Sequence, residues 1–163
     1  RHLALVSRLA RASGPIGMVG GQMLDLEAEK LGLPRHPDAA HVRRLQGMKT
    51  GALITYACEA GALVAGASAA GLDAARNYGE ALGLAFQISD DLLDVNGDAA
   101  VVGKAVGKDQ AAGKATLVAV LGETHARKEL ERAAARALAA LEPYGDEADA
   151  LREAARFQLH RQS

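Results

Sequence analysis

Aromatic residues are almost absent from this chain: two Phe, three Tyr and no Trp among 163 residues. Its core must therefore be filled by aliphatic and small side chains. Alanine is abundant, and alanine is the best helix former. A single cysteine, Cys58, excludes an internal disulfide and any cysteine-built zinc site, and fits a reducing cytoplasm. No charge of one sign prevails: 19 basic against 20 acidic residues leave a formal net charge of −1. No global field draws the chain to nucleic acid or to an anionic membrane, so a charged ligand must be held by local clusters. No run of 18 apolar residues lacks a charge, which argues against a membrane span. The chain opens on Arg1 without an initiator Met and shows no secretory or transit segment. It reads as part of a longer chain, one domain's worth in length.

Alternating β-branched stretches are also missing, while apolar residues recur at helical spacing almost everywhere. The expected class is all-α. Helices are predicted over 1–12, 17–30, 39–65, 72–95, 116–121, 124–141 and 146–160. Pro15 suits the first turn of the second helix. Gly66 and Gly71 bound a turn, and Asn96-Gly97-Asp98 closes the long fourth helix. Residues 101–113 form a Gly- and Lys-rich loop. Thr124 and Asp146 are the expected N-caps of the last two helices. The charge-dense stretch 127–136 reads as a solvated face.

The informative segment is Gln87-Ile88-Ser89-Asp90-Asp91-Leu92-Leu93-Asp94. Residues three and four apart are neighbours on a helix. Gln87, Asp90, Asp91 and Asp94 therefore form one patch about two turns long. Three carboxylates this close repel one another, and a hard divalent cation is their natural compensator. Magnesium takes oxygen ligands and is commonly held by one or two carboxylates plus substrate phosphates. The plain alternative is a solvated acidic face. Against it, the aspartates sit in an otherwise apolar stretch, 82–95.

Lys104, Lys108 and Lys114 follow closely, among Gly103, Gly107 and Gly113, which let a backbone approach a ligand. Such ammonium groups suit the oxygens of a departing diphosphate, and the plain alternative is a surface loop with lysines. A nucleotide P-loop is excluded, because Lys114 is followed by Ala115 and no strand precedes it. Lys49-Thr50-Gly51 places a lysine, a hydroxyl and a glycine inside a helical stretch, which reads either as a kink turned to a ligand or as ordinary surface. Gln22 and Asp25 share a helix face, as cavity wall or as a structural hydrogen-bonding pair. The five histidines are scattered, without metal-ligand spacing.

Taken together, Gly20-Gly21-Gln22-Met23-Leu24-Asp25-Leu26, Lys49-Thr50-Gly51-Ala52-Leu53, the segment from Gly83 to Val95 with its three aspartates, Gly97-Asp98, Gly103-Lys104 and Gly113-Lys114 resemble the trans-isoprenyl diphosphate synthases. The likeness is nearest to the bacterial farnesyl and geranylgeranyl types and covers almost the whole chain. It implies the isoprenoid synthase helical bundle, with residues 1–163 as the C-terminal part of one such domain, incomplete at the N-terminus. It implies a cytoplasmic transferase of isoprenoid biosynthesis that condenses an allylic diphosphate with isopentenyl diphosphate and releases diphosphate. It makes Asp90, Asp91 and Asp94 ligands of magnesium, or manganese, bridging the allylic diphosphate. Lys49, Lys104 and Lys114 become diphosphate-binding lysines. Thr50 and Gln87 line the reacting end, and Arg161 closes on isopentenyl diphosphate. Lys49, Thr50, Gln87 and Lys104 form the expected catalytic set. A homodimer is the family habit.

The chain also departs from the pattern. The family carries an earlier aspartate-rich motif followed by two arginines, which this sequence lacks. Thr116-Leu117-Val118 stands where Thr-Tyr-Pro is frequent. Product length is left open between ten, fifteen and twenty carbons. Two other readings stand beside the enzyme. One is a non-catalytic or degenerate subunit or fragment that needs a partner or the missing N-terminal region. The other is a cyclising terpene synthase, whose Asn/Ser/Glu metal motif is not found here.

Overall fold

The helical periodicity becomes eight α-helices and no strand among the described residues. The computed structural model describes residues 1–32, 34–96 and 116–161. In chain order these are α1 (His2–Ser13), α2 (Met18–Leu31), α3 (Ala39–Gln46), α4 (Ala52–Ala65) and α5 (Ala69–Asn96), then α6 (Leu117–Leu121), α7 (Glu123–Ala139) and α8 (Asp149–His160). A π-helical turn, Gly47–Gly51, joins α3 to α4, and a short 3-10 turn, Asp146–Ala148, precedes α8. The Gly- and Lys-rich loop at 101–113 lies outside the described residues.

Local chemistry sets most of the boundaries. Asp38 caps α3, its carboxylate accepting from the His41 N–H at 2.7 Å. Thr116 caps α6 by accepting from the Ala119 N–H at 3.1 Å. Both follow the capping rule that gives an orphan amide a side-chain oxygen. The caps expected at Thr124 and Asp146 are not used. Gly122, at φ 79°, turns the chain so that α7 already begins at Glu123. Asp146 enters the 3-10 turn instead, and α8 starts behind Ala148. Pro15 sits in the turn before α2 rather than inside it. Gly66 ends α4 in the left-handed region, at φ 75°.

The 28-residue α5 is the spine, flanked by α4 on one side and α7 on another. One core cluster gathers Val42, Ile88, Leu92, Leu117 and Leu130 around Ala85. A second holds Tyr78 with Ala81, Ala137, Leu141 and Ala155. Each buried Leu or Ile contributes about 1.5–3 kcal/mol relative to an exposed position. With so few rings available, small residues bring backbones together. A Cβ on Gly79 would lie 2.7 Å from the Thr55 Cα, and one on Gly83 would lie 3.1 Å from the Gly51 Cα. The Ala/Gly-rich α4 therefore packs along α5 within the bundle. On α7, Ala126, Leu130, Ala133 and Ala137 face inward, while Arg127–Glu123 and Arg132–Glu129 pairs lie outside, as the charge pattern predicts.

Tyr78 is the one large ring in the core, and it ties α5 to α8. It is 1% exposed, and its hydroxyl donates to the Leu151 carbonyl at 2.8 Å. Burial pushes its pKa up to about 12. The folded state thus holds the phenolic proton more tightly than an unfolded chain, where the pKa is about 10. Stability from this residue is intact below pH 10 and is lost as pH rises toward 12. Tyr78→Phe should remove that alkaline component and cost roughly 1 kcal/mol at neutral pH. Denaturant titrations at pH 7, 10 and 11.5 would show it, and an unchanged pH slope in the variant would sink the assignment.

Candidate functional site

The site is built where α2, the π turn and α5 meet. A π-helical turn inserts an extra residue into the helical ladder and is often found where function needs a displaced side chain. Here it carries Lys49 and Thr50, both half-buried, in the stretch the sequence marks as a kink. Gly21 on α2 permits the contact, since any Cβ there would lie 2.2 Å from the Lys49 backbone nitrogen. Four residues along α2, the Asp25 carboxylate pairs with Lys49 Nζ at 2.6 Å. The Asp25 side chain is 14% exposed and that of Lys49 33%. Of the two roles open to Asp25, the structure uses a charged link to the lysine.

A cavity of ≈ 770 Å³ opens beside the turn, and Gly47, Gly51 and Gln87 are among its walls. The face of α5 that lines it runs Arg76, Glu80, Gly83, Leu84, Gln87. The same helical spacing continues into Asp90, Asp91 and Asp94. The acidic patch thus extends a cavity wall.

The three carboxylates have different surroundings. Asp91 is 6% exposed. Its Oδ2 accepts from Gln46 Nε2 at 2.9 Å and from the Leu117 N–H at 3.1 Å, stitching α5 to α3 and α6. Asp94 is also buried, at 7%. Asp90 has a side chain 35% exposed, with Arg161 Nη2 3.7 Å from its Oδ1. The Arg161 guanidinium lies 5.2 Å from the centroid of the Phe86 ring, a cation–π distance. Arg161, close to the C-terminus, is thereby brought to the acidic helix. Lys104 and Lys114 lie outside the described residues.

Among the described residues no three His, Cys, Asp or Glu side chains converge to form a metal cage. An all-oxygen donor set of this kind fits magnesium, which keeps waters and is completed by substrate phosphates around one or two carboxylates. The carboxylates of Asp90, Asp91 and Asp94 are the groups that would hold it, and Asp91 Oδ2 also accepts from Gln46 and Leu117. Gln46 is a site residue that sequence reasoning missed. Nothing in its neighbourhood marks it, because its partner lies 45 residues away.

Residues 2–154 match the polyprenyl synthetase family. The chain belongs to that family. Over 128 residues it is 47% identical to farnesyl diphosphate synthase of Escherichia coli (strain K12), covering 78% of this chain and 42% of that protein. It is 38% identical over 148 residues to dimethylallyltranstransferase of Fischerella ambigua (strain UTEX 1903), covering 91% and 42%. The chain therefore spans less than half the length of these curated relatives. The apo crystal structure of an FPP/GFPP synthase from Zymomonas mobilis matches with a TM-score of 0.82 at 41% identity, over 96% of this chain and 50% of that one. The polyprenyl synthase of Caulobacter crescentus CB15, complexed with calcium and isoprenyl diphosphate, matches at 0.82 and 31%, over 98% and 60%. The isoprenoid synthase helical fold expected from the motifs is the fold observed.

Proposed function

We propose that this chain is the diphosphate-handling, C-terminal part of a prenyltransferase domain that joins an allylic diphosphate to isopentenyl diphosphate. The observation that carries this reading is the shared wall. The π turn that carries Lys49 and Thr50 lines the cavity through Gly47 and Gly51, and the α5 face that lines it at Gln87 continues by helical spacing to Asp90 and Asp94. A ligand with an anionic end matches a lysine set beside carboxylates suited to a divalent cation.

In this reading the Lys49 ammonium, held by Asp25, meets the leaving diphosphate and stabilises the charge that builds as the allylic bond breaks. Thr50 and Gln87 orient the reacting end, which lowers the entropic part of the barrier. Asp90, Asp91 and Asp94 hold magnesium or manganese. When bound, such a metal acts as a Lewis acid on the leaving oxygens. Lys104 and Lys114 add cationic contacts to the diphosphate. Arg161 turns from Asp90 to the isopentenyl diphosphate. The apolar side chains of Leu3, Val6, Val19 and Met23, exposed along α1 and α2, and of Ile16 in the turn between them, support the homodimer that the resemblance implies. No helix among the described residues is long and apolar enough to cross a membrane.

The test is calorimetric titration of geranyl diphosphate into the chain with magnesium and after chelation. Binding should require the metal. Asp90→Ala and Asp94→Ala should each weaken it at least about tenfold, the equivalent of 1.4 kcal/mol. A folded wild-type chain that ignores the diphosphate with or without magnesium would move the non-catalytic reading ahead.

A further inference from the structure

Among the described residues that line the cavity, two buried side chains are polar, Glu59 and Gln46. Glu59 of α4 has a structural explanation. Its Oε1 accepts from Arg8 Nη1 of α1 at 2.6 Å and from Arg76 Nε of α5 at 2.8 Å, a charged brace across three helices. Gln46, the last residue of α3, is 6% exposed and only half satisfied. Its Nε2 donates to Asp91 Oδ2 at 2.9 Å, while its Oε1 is buried without a hydrogen-bond partner among the described residues. Turning the amide over brings no relief. It would set Oε1 against an ionised carboxylate oxygen, and neither atom can donate.

A buried acceptor left unpaired costs stability, and a folded protein that keeps one calls for a reason other than packing. For packing alone, an apolar side chain of the same size would serve without the orphan. The reason lies in what the Nε2 end holds. Asp91 Oδ2 also accepts from the Leu117 N–H at 3.1 Å, so one carboxylate oxygen is held from α3 and from α6 together. With that oxygen fixed from two directions, the plane of the carboxylate is fixed as well. Leu117 gives its hydrogen bond from the backbone. Gln46 gives its own from a side chain, and so is the part of the arrangement that the choice of residue sets. Gln46 also leads into the π turn. Lys49 follows three residues later and is tied to Asp25 of α2 at 2.6 Å. The segment 46–49 is thus anchored on both sides, to α5 by an amide and to α2 by an ammonium.

Resting on the prenyltransferase reading above, we infer that Gln46 is a positioning residue for the divalent cation. It acts through Asp91. It fixes that carboxylate for the cation and keeps the lysine-bearing turn in register with it. Partners that hold the ligands of a metal orient them, and losing one typically weakens metal binding about 10–100-fold.

The experiment is calorimetric titration of geranyl diphosphate at a series of magnesium concentrations, with folding followed by circular dichroism. Gln46→Met keeps the length of the side chain and removes the donor. It should raise the magnesium concentration at half-saturation by at least about tenfold. Gln46→His restores an N–H donor and should return to within about threefold of wild type. Asp91→Asn isolates the route. Adding Gln46→Met to it should shift the magnesium requirement no further, since the carboxylate that Gln46 holds is gone. Gln46→Asn, a methylene too short to reach Asp91, should show the same loss and serves if Gln46→Met does not fold. A bond that only joined α3 to α5 would lower the melting temperature of the folded variant and leave its magnesium requirement unchanged. That result, or an equal further shift in the Asp91→Asn background, would overturn the inference alone. A wild-type chain that binds no diphosphate at any magnesium concentration would overturn the prenyltransferase reading, and this role with it.

Discussion

Asp91→Ala is expected to lower the unfolding free energy by about 2–6 kcal/mol, because two buried donors lose their shared acceptor at about 1–3 kcal/mol each. The Gln46 amide and the Leu117 N–H both end on Asp91 Oδ2, at 2.9 and 3.1 Å. Gln46 is 6% exposed and Leu117 is fully buried, so neither donor has easy access to water. The neighbouring carboxylate should behave differently. The side chain of Asp90 is 35% exposed and Arg161 stands 3.7 Å away. The pair is long, and Asp90 is the more exposed of the two carboxylates, so Asp90→Ala should cost less stability than Asp91→Ala while weakening metal-dependent diphosphate binding. Asp91→Asn keeps an oxygen in place and should recover part of the loss. Urea denaturation of the three variants separates these roles, and equal stability of Asp91→Ala and Asp90→Ala would refute the division.

Gly21→Ala should be nearly as damaging, although it adds one methyl group. The new Cβ would lie 2.2 Å from the Lys49 nitrogen, 2.6 Å from its Cα and 2.8 Å from the Met48 carbonyl carbon. These are backbone atoms, which cannot rotate away, so α2 must separate from the π turn. Overpacking of this kind costs about 1–3 kcal/mol or more. For a chain of this size, each kcal/mol lowers the melting temperature by about 2–4 °C. The separation also pulls Asp25 away from Lys49, so diphosphate affinity should fall together with stability. Gly61→Ala is the matched control. Gly61 lies in α4 with nothing within 4 Å of an added Cβ. Alanine there should stabilise by about 0.5–1 kcal/mol, since glycine loses more backbone entropy in a helix. Thermal melts of the pair decide the matter. A Gly21→Ala chain as stable as wild type would mean that the close approach is not real.

Much of this protein is local, and what is local could be read from the chain. The all-helical class follows from apolar spacing and the lack of alternating stretches. The break in the helix at Lys49 was visible because a glycine and a polar pair interrupt an otherwise regular pattern. The acidic patch was visible because residues three and four apart must share a face. Helix starts were less legible. Thr124 and Asp146 have the right chemistry for caps, but a left-handed glycine at Gly122 and a 3-10 turn moved the starts elsewhere.

The roles of individual side chains needed tertiary structure. The sequence alone determined that Asp90, Asp91 and Asp94 lie together on one helix, because helix geometry needs only their spacing. Only the packing of α3 and α6 against α5 decided that Asp91 serves the interior, through partners 45 and 26 residues away. In the same way Asp25 was visible as a polar residue on α2, but its charged link to Lys49 spans 24 positions. Glu59 showed no signal at all, since its arginines stand 51 and 17 residues away. Spacing governs what one helix presents. Hydrogen bonds and ion pairs between helices depend on which faces meet, and that is settled by how small residues such as Gly21, Gly79 and Gly83 let the backbones approach.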